Sequence, residues 1–341
     1  MPTRIVAQLA PQRSTQYANL ARDLAEAELL ASPLGPELQD VARRSIAGQD
    51  YLGFTVQEPL SPEAVELLAS LAMLGSVFEL FDAIGDVQGP LLRPLTASHR
   101  AFVSPDMAAT RRYKGKTNEA FTHFLCNMAK HASDFGRDDW STLDVLDPLC
   151  GGGTTLFAAL SLGADVAGID MDRTDIETTA TFITQYCREN RIPLTSKEER
   201  LRKLNARRWH FQLGKDDVCR CLLANGDARD AKELIAGFGR PHLIVTDLPY
   251  GIQHNAPLKG LLGDCLPVWT ELLAPGGTIA FSWDATRFTR PEMAALVSAS
   301  APLEVVDRPP FDRLGHRVDR VIKRRDAIVA RKRPASHTAA P

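Results

Sequence analysis

Apolar residues in the first hundred positions recur with two different periods. Runs of strand length occupy 5–9 and 51–56, and residues 17–30 repeat their apolar positions at helical spacing. Ser61 supplies an N-cap and is followed by a proline and an acid, which predicts a helix over 64–81. The expected order of strand, helix, strand, helix indicates a small α+β unit.

From about residue 111 the pattern changes to a regular alternation of strands and helices. The short apolar runs that predict strands are 145–147, 166–170, 222–227, 243–247, 278–283 and 327–330. The helical periods that separate them are 156–162, 174–189, 230–236, 258–273 and 291–298. This alternation is typical of a parallel sheet with helices on both faces. Ligands bind such sheets at the carboxyl ends of the strands, where four acidic residues fall: Asp147, Asp170, Asp227 and Asp247.

A domain boundary is indicated where glycine and proline residues interrupt the chain between Gly85 and Pro105. The pattern therefore predicts an N-terminal α+β domain over 1–100 and a second, α/β domain over 111–333. Residues 334–341 are expected to form a short disordered tail.

Composition places the chain among ordinary globular proteins. Of its 341 residues, 44% are hydrophobic and 24% are charged, and 40 Lys and Arg against 42 Asp and Glu leave a formal charge of -2. No global basic field marks the chain as a nucleic-acid binder, so any polyanion site is expected to be local. The chain start lacks the apolar core of a signal peptide, no apolar run is long enough for a bilayer, and the six cysteines form no C-x-x-C pair. These features predict reduced thiols, no membrane insertion and a cytoplasmic location.

Charge is distributed unevenly along the chain. Residues 1–110 carry 7 Lys and Arg and 13 Asp and Glu, a net of -6 that opposes phosphate binding there. The segment Arg188–Lys215 has nine Lys and Arg against three Glu, with Trp209 and Phe211 near its end. Two interpretations of this segment stay open. It either contacts phosphates and stacks an aromatic ring on a base, or forms a solvated helix whose aromatic side chains lie in the core.

The strongest local motif joins the strand at 145–147 to the next helix. Cys150 is followed by three consecutive glycines and Thr154, so the backbone can pass close to a ligand and the first N–H groups of the helix face it. The lysine of a phosphate-binding P-loop is absent, and the glycine spacing differs from that of dinucleotide-binding proteins. Asp170 ends the next strand, 23 residues after Asp147, where a carboxylate can bind both hydroxyls of a ribose. The motif therefore predicts a cofactor that contains a nucleoside.

A second motif, Asp247-Leu248-Pro249-Tyr250, follows the apolar strand at 243–247. Its carboxylate and the carbonyl of Leu248 are acceptors for the N–H groups of an amine, and its aromatic ring offers a face for stacking. Acceptors on both protons of a planar NH2 group direct the nitrogen lone pair towards an electrophile. The motif therefore suits a flat ring that carries an exocyclic amine.

Together the two motifs resemble those of the class I S-adenosylmethionine-dependent amino-methyltransferases, in particular the THUMP-type tRNA guanine-N2 methyltransferases. The usual forms in that family are DPxCGSGT and DPPYG, whereas this chain has Gly152 in place of the serine and Leu248 in place of the first proline. The resemblance covers residues 111–333, as a methyltransferase domain. It implies a class I methyltransferase Rossmann-like parallel sheet with a smaller N-terminal α+β domain. Residues 1–100 also faintly resemble the ferredoxin-like half that precedes the THUMP module.

The resemblance also implies a role for each motif residue, with S-adenosylmethionine as the cofactor. The residues implied to bind the cofactor, from its methionine end through the ribose to the adenine, are Asp147, Cys150, Gly151, Gly153, Asp170, Met171, Asp227 and Ala228. The residues implied to hold and orient the amine are Asp247, Leu248, Pro249 and Tyr250. The stretch Tyr113–Glu119 is expected to lie over the cofactor. No histidine or cysteine has a partner at metal-ligand spacing, so no metal site is expected.

The function expected from these features is methyl transfer from S-adenosylmethionine to an exocyclic amine. Guanine N2 of tRNA is the expected substrate, with the RNA held in part by Arg188–Lys215. A methyltransferase of adenine or cytosine in DNA, or of a small-molecule amine, is an alternative because the D-x-P-Y motif serves any planar NH2 group. A non-catalytic RNA-binding protein with a vestigial cofactor site is an alternative from a different class. The sequence does not indicate an oligomeric state.

Overall fold

The computed structural model describes residues 2–11, 17, 19–97, 101–113, 115–249, 258–318 and 323–333. The chain forms two compact units, Met1–Arg100 with Arg308–Asp326, and Ala101–Asp307 with Ala327–Pro341. Within the described ranges, no helix combines the length and the apolar character needed to cross a membrane.

The N-terminal unit is built on one antiparallel sheet. Its elements in chain order are β1 (Thr3–Leu9), α1 (Leu20–Ala31), β2 (Gln39–Ile46), β3 (Gln49–Val56), α2 (Pro62–Ala69), β4 (Leu74–Ile84) and β5 (Val87–Leu95). The strand order is β2-β3-β1-β4-β5, and neighbouring strands pair antiparallel. The first six elements form the β-α-β-β-α-β arrangement of ferredoxin-like folds, to which β5 adds an edge strand.

The helix expected over 64–81 is shorter than predicted. α2 ends at Ala69, Ser70 is its C-cap, and β4 begins at Leu74. Because β4 is hydrogen-bonded to β1 on one side and to β5 on the other, this ladder overrides the helical spacing of its apolar residues. The sequence pattern does not predict β2 and β5, because most of their side chains are exposed and no apolar face marks them.

The second unit contains the alternation of strands and helices. Its helices are α3 (Asp106–Thr110), α4 (Glu119–Ala132), α5 (Thr154–Leu162), α6 (Arg173–Glu189), α7 (Ala231–Leu234), α8 (Leu258–Leu272) and α9 (Arg290–Ser300). Its strands are β6 (Asp144–Asp147), β7 (Asp165–Asp170), β8 (Leu194–Leu201), β9 (Ala206–Leu213), β10 (Cys219–Asn225), β11 (Leu243–Asp247), β12 (Thr278–Asp284) and β13 (Leu303–Val305). The chain ends with β14 (His316–Arg317), in the N-terminal unit, and β15 (Arg324–Lys332), whose first residues also belong to that unit. The strands and helices predicted from the alternation are all present, within a few residues at their ends.

The strands of the second unit follow the order of a doubly wound sheet. The order is β13-β15-β12-β11-β6-β7-β10-β9-β8. Within it, β10-β7-β6-β11-β12 is the 3-2-1-4-5 order of doubly wound folds, and these strands pair in parallel. β15 pairs antiparallel with β13. The expected fold class, a Rossmann-like sheet with a smaller N-terminal α+β unit, is confirmed.

The basic segment Arg188–Lys215 contains a β-hairpin. β8 and β9 pair antiparallel, and β9 extends the sheet by pairing antiparallel with β10. Phe211 and Leu213 are buried, whereas Gln212 between them is exposed, and this period of two is that of a strand. The helical interpretation of the segment is therefore wrong. The sequence did not show the strand pattern because many charged side chains conceal the alternation of buried and exposed positions.

Residues 308–326 complete the N-terminal unit. β14 pairs antiparallel with the first residues of β15, and α1 packs against β14. Phe311, Leu314 and Val318 of this segment are buried. These residues come from within the range expected for the methyltransferase domain, so no single cut in the chain separates the two units.

The core of the second unit lies on both faces of its central strands. β11 and β12 are buried along their length except for the aspartates that end them. Leu146, Ala167, Ile244 and Phe281 are fully buried, because helices cover both faces of a parallel sheet. Polar side chains are therefore concentrated where these strands end.

Candidate active site

The carboxyl ends of the parallel strands meet in one row. Ile244 of β11 pairs with Leu146 of β6, which pairs with Ala167 of β7. Three residues further along β11 and β7, Asp247 and Asp170 share a row. Two strand spacings, or about 10 Å, separate them. The structure thus brings the predicted amine-binding and ribose-binding carboxylates to one edge of the sheet.

The glycine loop between β6 and α5 is fastened to Asp170. The N–H of Gly151 donates to Oδ2 of Asp170 at 2.7 Å, and the N–H of Asp172 donates to Oδ1 at 2.8 Å. Gly151 and Gly153 have φ values of 47° and 88°, a left-handed backbone conformation that favours glycine at both positions. Gly153 is the N-cap of α5 and has no side chain to cap it, so the first N–H groups of this helix attract an anion.

Tyr113 lies on the glycine loop. Its hydroxyl is hydrogen-bonded to that of Thr154 at 2.6 Å, and burial raises the pKa of the Tyr113 hydroxyl above its usual range. A Cβ atom added to Gly152 would come within 2.5 Å of the tyrosine ring. Gly152 does not have a positive φ, so the ring rather than the backbone conformation excludes a side chain there. The glycine that departs from the related motif therefore makes room for Tyr113.

Asp147 is the most deeply buried of the four predicted carboxylates. It is 2% exposed, and its Oδ1 accepts the N–H of Leu149 at 3.1 Å. Burial raises the pKa of this carboxyl to about 7, the nearby charge of Asp170 adds to the rise, and a hydrogen bond from Thr155 opposes it. Near neutral pH the group is divided between its charged and neutral forms, and a bound cation would favour the charged form.

Asp247 is held between two hydroxyl groups at the end of β11. Thr117, which precedes α4, donates a hydrogen bond to Oδ2, and Ser282 of β12 donates one to Oδ1. These bonds fix the plane of the carboxylate. A carboxylate oxygen has two lone pairs, so a hydroxyl and an amine can share it.

From the sequence, Thr117 is expected only as part of the stretch over the cofactor, and Ser282 is not expected at the site. Ser282 pairs with Asp247 across neighbouring strands, so a polar residue near the end of a predicted strand was the available signal. Nothing in the local sequence links Thr117 to Asp247, which lies 130 residues away along the chain.

The remainder of the D-L-P-Y motif continues from Asp247 into a turn. Leu248 is 1% exposed, and its N–H donates to the carbonyl of Ser282 at 3.0 Å. Its side chain therefore anchors the turn in the core, and Pro249 after it is half-buried. Tyr250 lies outside the described residues.

Met171 and Asp227 lie beside Asp170 at the ends of β7 and β10. The amide of Asn225 donates to the carbonyl oxygens of Asp170 and Met171, at 3.1 and 3.0 Å. The side chain of Met171 offers apolar surface, since this residue is 68% exposed. Asp227 accepts hydrogen bonds from Nε and Nη2 of Arg229, at 3.0 and 2.6 Å. These hydrogen bonds lower the pKa of the Asp227 carboxyl below its usual value. Any ligand of Asp227 must share the carboxylate with Arg229.

Cys150 and Ala228 are buried next to the loop and the turn that they belong to. The N–H of Cys150 donates to the carbonyl of Ile169 at 2.8 Å, and burial raises the pKa of its thiol well above the usual range. The carbonyl of Ala228 accepts the indole N–H of Trp269 at 3.1 Å. These two residues shape the backbone of the site and bring no charged side chain to it.

Comparisons with known proteins find solved structures. No family model matches the chain, and no curated protein matches it. TrmN from Thermus thermophilus is 14% identical, with a TM-score of 0.44, and the alignment covers 97% of this chain and 100% of that chain. TehB from Haemophilus influenzae is 12% identical, with a TM-score of 0.40 and 67% of each chain covered. An rRNA methylase from Streptococcus thermophilus is 11% identical, with a TM-score of 0.37, covering 62% of this chain and 96% of that chain. The fold class rests on the strand order and register described above.

Proposed function

We propose that this chain is an S-adenosylmethionine-dependent N-methyltransferase that methylates an exocyclic amine, N2 of guanine in tRNA. The observation that carries the proposal is the position of Asp247. Its carboxylate, held by Thr117 and Ser282, lies in the same row of strand ends as Asp170, to which the glycine loop is bonded. The proposed acceptors for the amine and for the ribose are thereby about 10 Å apart on one edge of the sheet.

The residues of this edge fit S-adenosylmethionine. Asp170 offers carboxylate oxygens to the ribose hydroxyls, the exposed side chain of Met171 offers an apolar surface to the adenine, and the start of α5 attracts a carboxylate. Asp147 adds a partly ionised carboxyl at the start of the glycine loop. Asp227 would share its oxygens between Arg229 and the adenine amine. When bound, the cofactor supplies a methyl group on a positively charged sulfur.

Position rather than strong acid or base chemistry is what the chain contributes to the reaction. The Asp247 carboxylate and the Leu248 carbonyl accept the two N–H groups of the amine, which directs the nitrogen lone pair away from them. With the cofactor held by Asp170 and the glycine loop, this lone pair would face the methyl group that S-adenosylmethionine would supply. The proton then lost by the nitrogen passes to Asp247 or to water. Alignment of this kind can account for about 7–11 kcal/mol of the barrier.

A guanine in RNA suits the proposed acceptors because it carries a planar NH2 group on a ring that can stack. In a folded RNA this base has to leave its stack, at a cost of a few kcal/mol. Adenine or cytosine in DNA and small-molecule amines satisfy the same two acceptors, so they are the outcomes against which tRNA is tested.

Methyl transfer onto tRNA tests the proposal directly. Unmodified tRNA from cells that lack the protein is incubated with the purified protein and labelled S-adenosylmethionine, and is then digested to nucleosides. We expect the label in N2-methylguanosine. Label in methylated adenine or cytosine of added DNA, or only in a small amine, would replace tRNA as the substrate. If calorimetry shows no binding of S-adenosylmethionine, the methyltransferase assignment fails and the non-catalytic RNA-binding alternative gains support.

A further inference from the structure

We propose that residues 200–207, the tip of the β8–β9 hairpin, bind the phosphate backbone of the RNA substrate next to the cofactor. This tip is the connection where β8 ends and β9 begins. The inference rests on the proposed function, because it takes an RNA to be the substrate.

Strand register places the hairpin tip at the same edge of the sheet as the site. Arg207 of β9 pairs with Asn225 of β10, and Asn225 pairs with Asp170 of β7. Arg200 of β8 pairs with Arg207 and so extends the same row. At about 4.8 Å for each strand spacing, Arg207 lies about 10 Å from Asp170 and about 19 Å from Asp247. A stacked strand that rises about 3.4 Å per nucleotide covers 19 Å in about five or six nucleotides.

The hairpin tip carries four cations and no acidic residue, namely Arg200, Arg202, Lys203 and Arg207. The first three are exposed. Arg202 and Lys203 form no ion pair with any residue in the described ranges. Arg207 is the exception, because its Nη1 lies 3.5 Å from Glu177 and 3.4 Å from Glu198. Most of the positive charge at the tip is therefore available to an anion.

Packing holds the hairpin tip in place. Leu201 and Leu204 are partly buried against the hydrophobic cluster of the second unit, and Ala206 is 3% exposed. Asn205 adopts a left-handed conformation with φ of 49°, and its side-chain oxygen accepts a hydrogen bond from Arg200 at 3.5 Å. Because the backbone is already fixed, less conformational entropy is lost when these cations bind a partner. The tip is therefore better suited to binding than a flexible segment of the same charge.

Aromatic stacking is not the mode of contact at this surface. Phe211 is 3% exposed and Trp209 is half-buried within β9, and both lie beyond the tip. The aspartates of the site repel phosphates, whereas the tip attracts them. An RNA backbone is therefore expected to follow the tip while a single base reaches inwards to Asp247.

The test removes three cations of the hairpin tip together, as Arg200→Gln, Arg202→Gln and Lys203→Gln. A matched control removes three exposed cations of the same basic segment outside the tip, as Arg188→Gln, Lys197→Gln and Lys215→Gln. Both variants lose the same charge. Binding of bulk tRNA is measured between about 50 and 200 mM salt, where phosphate contacts dominate the salt dependence, and binding of S-adenosylmethionine is measured by calorimetry.

The tip variant is expected to bind tRNA at least tenfold more weakly at the lower salt and to reduce the slope of log affinity against log salt by about 2 to 3, because each lost phosphate contact accounts for about 0.7–0.9 of that slope. The control is expected to keep its tRNA affinity within about twofold. A tip version with Arg200→Lys and Arg202→Lys keeps the charge and should retain most of the binding.

Two results for tRNA binding would overturn the inference while leaving the proposed function standing. One is an equal loss of tRNA affinity in the tip variant and the control. The net positive charge of the whole segment, and not specific contacts at the tip, would then account for RNA binding. The other is a tip variant that binds tRNA as the unaltered protein does. Duplex DNA that binds more tightly than tRNA, and that loses affinity in the tip variant, would also overturn the inference. Failure of the unaltered protein to bind S-adenosylmethionine would instead refute the proposed function, and the tRNA measurements remain readable in that case.

Discussion

At the scale of single residues, the aspartates that end β6 and β11 have opposite surroundings. Asp147 is 2% exposed, and burial raises its pKa to about 7. Asp247 is half-buried and accepts hydrogen bonds from the hydroxyls of Thr117 and Ser282. The contribution of Asp147 to ligand binding is therefore expected to depend on pH and on the charge of the ligand. The contribution of Asp247 is expected to depend on how its carboxylate is oriented.

Replacing Asp247 with Ala is expected to abolish methyl transfer and to leave the affinity for S-adenosylmethionine nearly unchanged. The reason is that Asp247 is proposed to hold the amine, whereas other residues of the row are proposed to hold the cofactor. Asp170→Ala should have the opposite effect and weaken cofactor binding by about 10-fold to 100-fold. This fold-change corresponds to the loss of about 1.5–3 kcal/mol, the contribution of hydrogen bonds to a charged group. Calorimetry and the rate at saturating cofactor separate the two effects. Loss of cofactor binding in Asp247→Ala would show that this residue is structural.

The affinity for S-adenosylmethionine is expected to rise several-fold as the pH is raised through about 7, the pKa of Asp147. Below this pH the carboxyl is mostly protonated, and above it the carboxylate attracts the positively charged sulfur of the cofactor. S-adenosylhomocysteine has an uncharged sulfur and should show little of this dependence, and Asp147→Asn should remove the difference between the two ligands. Dissociation constants measured calorimetrically across this pH range test the expectation. An equal pH dependence for both ligands would contradict it.

At the scale of elements, the path from α3 to α4 is held at two points by the ends of distant strands. Tyr113 lies on the glycine loop after β6, and Thr117 donates to Asp247 at the end of β11. The connection therefore joins the predicted cofactor-binding and amine-binding halves of the site. The sequence motif shows only part of this arrangement, as an unusual glycine at residue 152.

Gly152→Ala is expected to lower the free energy of unfolding by about 1–3 kcal/mol, because the new methyl group overlaps the ring of Tyr113. The ring would have to leave its hydrogen bond to Thr154. In a Tyr113→Ala background the same substitution should cost much less, with a coupling energy of about 0.5–3 kcal/mol. Chemical denaturation of the unaltered protein, both single variants and the double variant measures this coupling. Strictly additive effects would show that the ring does not select the glycine.

At the scale of the whole molecule, the chain returns to its own N-terminal unit near its end. Residues 1–100 carry 7 Lys and Arg and 12 Asp and Glu, whereas residues 308–326 carry 7 and 3. The net charges of -5 and +4 leave the assembled unit at -1. The repulsion of phosphate inferred from residues 1–110 alone is therefore almost cancelled in the folded unit.

Leu314→Ala is expected to destabilise the N-terminal unit by about 2–5 kcal/mol, because this side chain is fully buried and its loss leaves a cavity. Hydrogen exchange should show faster exchange in β1 and β3, although both strands lie more than 250 residues earlier in the chain. The side chain of Arg313 is 79% exposed, and Arg313→Ala serves as the control with little expected effect. Unchanged protection of β1 and β3 in Leu314→Ala would show that the segment does not support the sheet.

Local sequence determined the alternation of strands and helices in the second unit and the acidic residues at the strand ends. A parallel sheet covered on both faces needs continuous apolar strands, so its polar residues are confined to the ends, where the sequence marks them. The roles assigned to the individual motif residues stay predictions.

Only the tertiary structure decided what faces those acids and what completes each unit. Thr117, Ser282 and Tyr113 reach the site through hydrogen bonds and ring packing between distant segments, and such contacts leave no period in the sequence. The edge hairpin of β8 and β9 and the return of residues 308–326 were concealed for a related reason. The exposed and charged residues of these two segments are compatible with several local structures. Which structure forms depends on the distant surface that the few apolar residues of each segment cover.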